Sequence, residues 1–137
     1  MNLNDIDINK LAYMKEYLSI ENLPKDKLDA MFVIQDKLRE LFKVPIQSLD
    51  TAGGQKTARD MAFNVIQEIC ESVNLFKNHE WSKDEKLLDR QHFKEETGDV
   101  LLFLVEYLIL CDYTANDIFE LYLKIAEKNF FRIKTGY

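Results

Sequence analysis

The chain has 137 residues, of which 47% are hydrophobic, and it contains only 4 glycines and 2 prolines. This length and composition predict one domain over residues 1–137, with a sizeable core and little unstructured sequence. The net charge of −6 argues against a general nucleic-acid binder, because binding to a polymer of phosphates needs a basic surface.

The hydrophobic pattern predicts five helices and no strand. The first covers residues 8–18. The second covers residues 24–43, where Pro24 suits the first helical turn. One face of this second helix carries an apolar stripe. The stripe consists of Leu28, Met31, Phe32, Leu38 and Phe42.

The third helix is predicted to follow a loop. Residues 47–56, which contain a pair of adjacent glycines, are typical of a loop. Thr57 and Asp60 then resemble a capping box, in which the first side chain caps the helix and the second bonds back to it. We therefore expect the third helix to begin at Thr57 and to reach about Lys77.

The last two helices have similar start signals. Residues 78–88 are polar and predict a connection to a fourth helix over residues 89–111. Thr114 and Asp117 form a second candidate capping box, which opens the fifth helix. We expect that helix to end between residues 128 and 134.

Five helices without a strand predict an all-α fold with a four-helix-bundle-like core. Residues 100–111 are apolar on nearly every side except at Glu106, which is more apolar surface than one small domain usually needs. We therefore expect a homodimer, with the fourth and fifth helices at or near the interface, that completes the core.

Three features predict a cytoplasmic protein without membrane contact. Residues 1–5 have neither the positive charge nor the apolar run of a signal peptide. The apolar stretch 100–111 is much shorter than the roughly 20 residues that cross a bilayer. Cys70 and Cys111 lie in apolar stretches, and we interpret them as reduced core thiols.

Two pairs of acidic residues carry the chemistry, Glu68 with Glu71 and Glu96 with Asp99. A spacing of three puts both acids of a pair on one face of a helix, and both pairs border the predicted core. Unpaired carboxylates there would cost several kcal/mol, by rough estimate. All-oxygen sites of this kind suit Mg²⁺, with Mn²⁺ as the second choice. Solvated surface acids are the alternative interpretation.

A di-iron site of the ferritin type is not expected. Such sites use a histidine three residues after a glutamate. The chain has only His79 and His92, and neither has this spacing. We interpret His92 as a surface or capping residue.

Gln35 and Gly98 interrupt otherwise regular helical patterns. Gln35 lies within the apolar stripe, where a buried amide offers a donor and an acceptor to one base edge. The alternative is a core amide bonded to the backbone. Gly98 costs about 1 kcal/mol relative to alanine in a helix interior. We therefore expect a packed helix or a ligand to approach it closely.

The two acidic pairs, separated by 24 residues and followed by Val-Leu-Leu-Phe-Leu at residues 100–104, resemble a known superfamily. It is the all-α nucleoside triphosphate pyrophosphohydrolase superfamily, which includes MazG-like enzymes and the dimeric dUTPases. The resemblance covers about residues 28–137.

Two further segments are similar to motifs of the dimeric dUTPase branch. Its first motif resembles Met31-Phe32-x-x-Gln35-x-x-Leu38. Its last motif resembles the segment that contains Tyr122-Leu123, Asn129-Phe130-Phe131-Arg132 and Gly136-Tyr137. The chain departs from the branch at Ile125 and Ala126, where a lysine and an asparagine are expected, although Lys124 and Lys128 lie nearby.

The resemblance implies Mg²⁺-dependent cleavage of a nucleoside triphosphate, preferentially dUTP, to the monophosphate and pyrophosphate. It implies that Glu68, Glu71, Glu96 and Asp99 bind the metal. Glu68 would also orient or deprotonate the attacking water, and Gln35 would contact the uracil. Other substrate contacts would come from Lys77, Trp81, Tyr122, Asn129 and Arg132. Trp81 could stack on the base or simply close the core.

Two alternatives to a dUTPase stay open. A MazG-like enzyme would act on other nucleotides or on several. A non-catalytic helical protein would use the same acids to bind a basic partner.

Overall fold

The computed structural model of the chain describes residues 2–76 and 87–136. These residues form helices and no strand, so the predicted all-α fold with five helices is confirmed. The α-helices are α1 (Ala12–Lys15), α2 (Lys27–Leu41), α3 (Ala52–Asn74), α4 (Arg90–Leu110) and α5 (Ala115–Thr135). Within the same residues, no helix is both long and apolar enough to cross a membrane.

The starts of α4 and α5 follow from their capping residues. The side chain of Asp89 accepts hydrogen bonds from the backbone of Gln91 and His92, which fixes the first turn of α4. The predicted capping box of α5 is confirmed. Thr114 Oγ1 accepts from the Asp117 backbone nitrogen at 3.1 Å, and the Asp117 carboxylate accepts from the Thr114 backbone nitrogen at 2.9 Å.

The third helix begins earlier than predicted. Thr51 is its N-cap, with Oγ1 accepting from the Gly54 backbone nitrogen at 3.0 Å. The capping box predicted at Thr57 is therefore wrong, since the Thr57 hydroxyl instead donates to the Gly53 carbonyl inside the helix.

The reason for this difference lies in Gly54. A Cβ atom at this position would overlap the backbone carbonyl of Ser48, so the glycine permits a close approach between two backbone segments. Glycine is a poor helix former, which is why the sequence pattern predicted a loop there. The tertiary contact overrides that propensity.

The first helix is shorter than predicted. The pattern indicated residues 8–18, but α1 spans only Ala12–Lys15 and no residue in it is buried. Leu11, at its N-cap, has a left-handed backbone with φ of 39°. An isolated helix of this length has too few hydrogen bonds to propagate.

The main helix pair is α3 with α4; α2 also packs on α4, and α5 contacts α2. This arrangement is compatible with a bundle. The buried apolar residues are few: Ala58, Met61, Val105, Leu110 and Ala115. A core this small leaves large apolar side chains exposed on every long helix.

Some residues predicted to be in the core lie at the surface. Phe42 is largely exposed, so the apolar stripe of α2 stops short of it. The buried residues of α2 are instead the polar Gln35 and Arg39. Both cysteines are free thiols, but Cys70 is exposed and Cys111 is only half-buried, so the core position predicted for Cys70 is wrong.

Candidate active site

Carboxylates from α3 and α4 meet at the interface between these two helices. Carboxylate oxygens of Glu68, Glu71 and Glu96 lie within 4.8 Å of one another. Glu96 is buried, Glu68 is half-buried and Glu71 is exposed. We call these three residues the carboxylate group. It lies at the edge of the helix interface and opens to solvent on the Glu71 side.

Asp99, the fourth predicted metal ligand, lies beside the carboxylate group and not within it. It is exposed and one turn after Glu96 on α4. Partial burial raises the pKa of Asp99, and the charges of Glu96, Glu95 and Glu71 raise it further. The structure therefore brings three of the four predicted ligands together and places the fourth in their electrostatic field.

The pKa of Glu68 responds to the other acids of this arrangement. Burial raises the pKa of Glu68 above its usual value, and so does its hydrogen bond with Glu96. The nearby charges of Glu71, Asp99 and Glu96 act in the same direction. Crowded carboxylates of like charge favour protonation or the binding of a cation, either of which relieves the repulsion.

The donor set fits a hard divalent cation. All its atoms are carboxylate oxygens, which Mg²⁺ and Mn²⁺ prefer. Mg²⁺ binds oxygen at about 2.0–2.1 Å, so ligands on opposite sides of the ion lie about 4 Å apart. The separations within 4.8 Å need only small side-chain rotations, and Glu71 is exposed enough to make them.

His92 contacts the carboxylate group from the first turn of α4. Its Nε2 atom lies 2.6 Å from Oε1 of Glu96. The imidazole is about half exposed, as expected for a surface residue, but the sequence analysis did not predict this contact. The spacing of four between the two residues was the signal that could have found it.

Gln35 makes a buried contact between α2 and α4. Its Nε2 atom donates to Oε2 of Glu106 at 2.8 Å, and both side chains are only 4% exposed. The predicted alternative of a bond to the backbone is therefore replaced by a bond to a carboxylate. Burial raises the pKa of Glu106, whereas the Gln35 hydrogen bond and the charge of Arg39 lower it.

Arg39 completes this buried polar cluster, one turn after Gln35 on α2. Its Nε atom donates to Asp36 at 2.8 Å, and Nη1 donates to the carbonyl of Val44 at 2.5 Å. The sequence analysis did not identify Arg39 or Glu106 as site residues. Two features of the sequence could have identified them: an arginine on the inner face of α2 and an acid within the apolar run of α4.

A small cavity of about 180 Å³ lies between α2 and α4. Gln35 and Gly98 are among the residues that line it. Its apolar lining comes from Met31, Ile34, Leu38, Leu101, Leu102 and Val105. A Cβ atom on Gly98 would meet no described atom within 4 Å, so the packed helix expected there is not found. The space beside this glycine is open.

The cavity and the carboxylate group are at the same level along α4. Gly98 follows Glu96 by two residues, which is about 3 Å along the helix axis and about 200° around it, so the cavity faces α2 whereas Glu96 meets the acids of α3. Larger cavities of about 460 and 540 Å³ lie near the α4–α5 connection, and none of the predicted site residues lines them. Of these three cavities, the small one is lined by a residue predicted to bind the substrate, Gln35.

Of the remaining predicted substrate contacts, the three that the structure describes are not brought to this place. Lys77 and Trp81 lie outside the described residues. Tyr122 and Asn129 are exposed on α5, and Arg132 is half-buried, with Nη1 donating to Asn129 at 3.3 Å. Since α2 is the main neighbour of α5, these side chains lie outside the carboxylate group.

The chain matches no protein-family model, no curated protein and no solved structure. The resemblance to nucleotide pyrophosphohydrolases therefore stays a prediction from the motifs. Any assignment of function depends on the geometry of the carboxylate group and on the cavity between α2 and α4.

Proposed function

We propose that the chain is a Mg²⁺-dependent nucleoside triphosphate pyrophosphohydrolase that prefers dUTP. The observation that supports this most is the carboxylate group, in which three acids from two helices lie within 4.8 Å of one another. Acids at this density are costly unless they serve to bind a cation.

Each acid has a distinct part in the proposal. A bound Mg²⁺ would supply charge neutralisation for the phosphates and would lower the pKa of coordinated water. The buried Glu96 gives a fixed ligand, and the exposed Glu71 adjusts to complete the set. Glu68 orients the attacking water and accepts its proton, a task that its raised pKa favours. Asp99 adds a fourth carboxylate at the open side.

Recognition of the base is assigned to the small cavity. A volume of about 180 Å³ is below the roughly 300–1,000 Å³ of pockets for drug-sized ligands, so it suits a single ring. Gln35 supplies the polar contact and the apolar walls cover the faces of the ring. In this proposal Lys77 and Trp81 contact the rest of the nucleotide, whereas Tyr122, Asn129 and Arg132 lie on α5, outside the carboxylate group.

The proposal includes a homodimer in the cytoplasm. Leu101, Leu102 and Leu104 on α4 are each at least about one third exposed, which supports a further packing partner. Free thiols at Cys70 and Cys111 are typical of a reducing compartment.

The direct test measures pyrophosphate release from dUTP, dCTP, dATP and UTP, with Mg²⁺ and with a chelator. We expect release only with the metal, and the highest kcat/KM for dUTP. Gln35→Ala should reduce the preference for dUTP more than it reduces stability, because a site built for one base leaves polar groups unpaired with others.

The possible results separate the enzyme class from the substrate. If another nucleotide is cleaved more efficiently than dUTP, a MazG-like pyrophosphohydrolase replaces the dUTPase. If no nucleotide releases pyrophosphate, the enzyme assignment fails.

A non-catalytic interaction protein is the second candidate, and the exposed apolar faces favour it. Phe130 and Phe131 on α5 are both more than half exposed, as in helices that bind another protein. This candidate predicts no hydrolysis with any metal. Since this candidate uses the same acids to bind a basic partner, replacing Glu68 by glutamine should weaken that binding.

A further inference from the structure

The hydrogen bond to Glu106 fixes which way the Gln35 amide points. A carboxylate only accepts hydrogen bonds, whereas an amide has a donor end and an acceptor end. With Glu106 ionised, the NH₂ group of Gln35 must therefore face Glu106, as the 2.8 Å contact from Nε2 to Oε2 has it. The opposite orientation would place two acceptor oxygens against each other.

The positive charge of Arg39 supports the ionised form of Glu106. Arg39 lies on α2, one turn after Gln35, and its charge lowers the pKa of Glu106 against the effect of burial. Contacts with Asp36 and with the Val44 carbonyl hold the guanidinium in place. Glu106 thus receives a hydrogen bond and a favourable charge from α2, which offset part of the effect of burial.

The acceptor end of Gln35 has no partner within residues 2–76 and 87–136. The only hydrogen bond of its side chain there is the one from Nε2. In the same residues, every side-chain nitrogen or oxygen that is sealed from solvent has a partner. Oε1 has none and is therefore not sealed, and Gln35 is one of the residues that line the cavity between α2 and α4.

We infer that Glu106 is a positioning residue, which holds Gln35 with its oxygen towards the cavity, so that the cavity selects a flat ring bearing an N–H donor. A ring imide, such as that of a uracil-type base, has this chemistry. The inference deepens the proposed function and rests on it for the identity of the natural ligand.

The same geometry rejects a ring that presents a lone pair at that position. A cytosine-type ring has an unprotonated ring nitrogen, so an acceptor would face the acceptor oxygen of Gln35. A buried acceptor without a donor loses its hydrogen bond to water and gains none in return. Glu106 would then set the selectivity without touching the base.

The test uses nucleosides and the full chain, without metal. Deoxyuridine, its N3-methyl derivative and deoxycytidine are titrated into the protein, and their dissociation constants are measured by calorimetry or NMR. N3-methyldeoxyuridine and deoxycytidine lack the N3 proton. In the unmodified chain they should bind at least about tenfold more weakly than deoxyuridine, as expected for a buried polar group left unpaired.

The decisive variant is Glu106→Gln, which keeps the shape of the side chain. Its amide can donate or accept, so Gln35 is no longer held in one orientation. We expect the preference for deoxyuridine over deoxycytidine to fall at least about fivefold, an effect of the size of one hydrogen bond. Glu120→Gln, an exposed acid on α5, is the matched control and should leave the preference unchanged.

A merely structural role for Glu106 would weaken all nucleosides equally and leave their ratio unchanged, and that result would overturn the inference. Undetectable binding of deoxyuridine to the unmodified chain would also overturn it. If Glu106→Gln does not fold, NMR of the Gln35 side-chain amide decides instead. In the unmodified chain, deoxyuridine should change the chemical shifts of the two Gln35 NH₂ protons while both stay protected from exchange with solvent. An unchanged amide signal contradicts the inference.

The two proposals can fail separately. Selective nucleoside binding without hydrolysis of any triphosphate would refute the proposed function and support the role of Glu106. Hydrolysis of dUTP with an unchanged base preference in Glu106→Gln would do the reverse.

Discussion

His92 Nε2 lies 2.6 Å from Oε1 of Glu96, the buried member of the carboxylate group. An imidazole N–H that donates to this oxygen restricts the rotation of the Glu96 carboxylate. Residues that hydrogen-bond to a metal ligand without binding the metal themselves commonly matter for function. Their mutation changes metal affinity or activity by about 10–100-fold.

The first prediction follows from this contact. His92→Ala should weaken Mn²⁺ or Mg²⁺ binding about tenfold, with little loss of stability, because the ring is half exposed. His92→Gln, which retains a donor, should recover part of that loss. Metal titration by calorimetry measures both variants. Equal affinity in His92→Ala and the unmodified chain would show that Glu96 needs no such support.

The second prediction concerns the four acids themselves. Replacing Glu68, Glu71, Glu96 or Asp99 by its amide should reduce turnover at least about 100-fold, the scale of losing a charge-stabilising group. Glu120→Gln is the control, because this acid is exposed on α5, where it accepts a hydrogen bond from Asn116 at 3.1 Å and pairs with Lys124 at 3.7 Å. Near-normal turnover in both Glu68→Gln and Asp99→Asn would remove the catalytic interpretation.

The position of each acidic pair on one helix face could be predicted from the sequence, because that information is local. A spacing of three on a helix determines that Glu68 and Glu71 share a face, and capping at Asp89 sets the phase of α4. Which acids meet across the two helices is a tertiary property. The exclusion of Asp99 from the group could not be derived from spacing alone.

Two other features could not be predicted from the sequence for the same reason. Gln35 and Glu106 are 71 positions apart, so no local pattern predicts their hydrogen bond. The start of α3 depends on a close approach between Gly54 and Ser48. Local helix propensity predicts a loop for this segment because glycine is a poor helix former. Contacts between distant segments decide both cases.

The third prediction is a pH dependence that arises from Glu106. Burial raises its pKa in the folded chain above 4.5, the ordinary value, and Gln35 and Arg39 offset only part of this. The folded state therefore binds a proton more readily than the unfolded state. The resulting stabilisation is complete below pH 4.5 and is lost as the pH rises through the folded pKa.

Glu106→Gln removes this titration, so the difference in free energy of unfolding between the variant and the unmodified chain reports it. The variant should gain stability relative to the unmodified chain as the pH rises from 4.5 to neutrality. Denaturant unfolding at several pH values, with a chelator present, measures the free energy of unfolding of both proteins. A difference that stays constant with pH, or that falls, would contradict the raised pKa.

The fourth prediction separates stability from binding at Gly98. A methyl group there meets no described atom within 4 Å, so Gly98→Ala should stabilise the folded chain by about 1 kcal/mol. The same methyl group enters the space beside the cavity and should raise KM for dUTP. Thermal unfolding and steady-state kinetics measure the two effects. A loss of stability would mean that another element packs against this glycine.

The fifth prediction is that the chain forms a homodimer at micromolar concentration. Only Ala115 of α5 is buried, and Phe130 and Phe131 expose more than half of their surface, so residues 2–76 and 87–136 of a single chain cover little of this helix. Each such side chain would contribute about 1.5–3 kcal/mol on full burial. Light scattering should therefore give twice the mass of one chain, and Phe131→Glu should shift the protein towards monomer. Because a charge on an already exposed position does little to a monomer, Phe131→Glu should leave the helical content unchanged. A stable monomer in the unmodified protein would defeat the prediction and would leave the apolar face of α5 to a different partner.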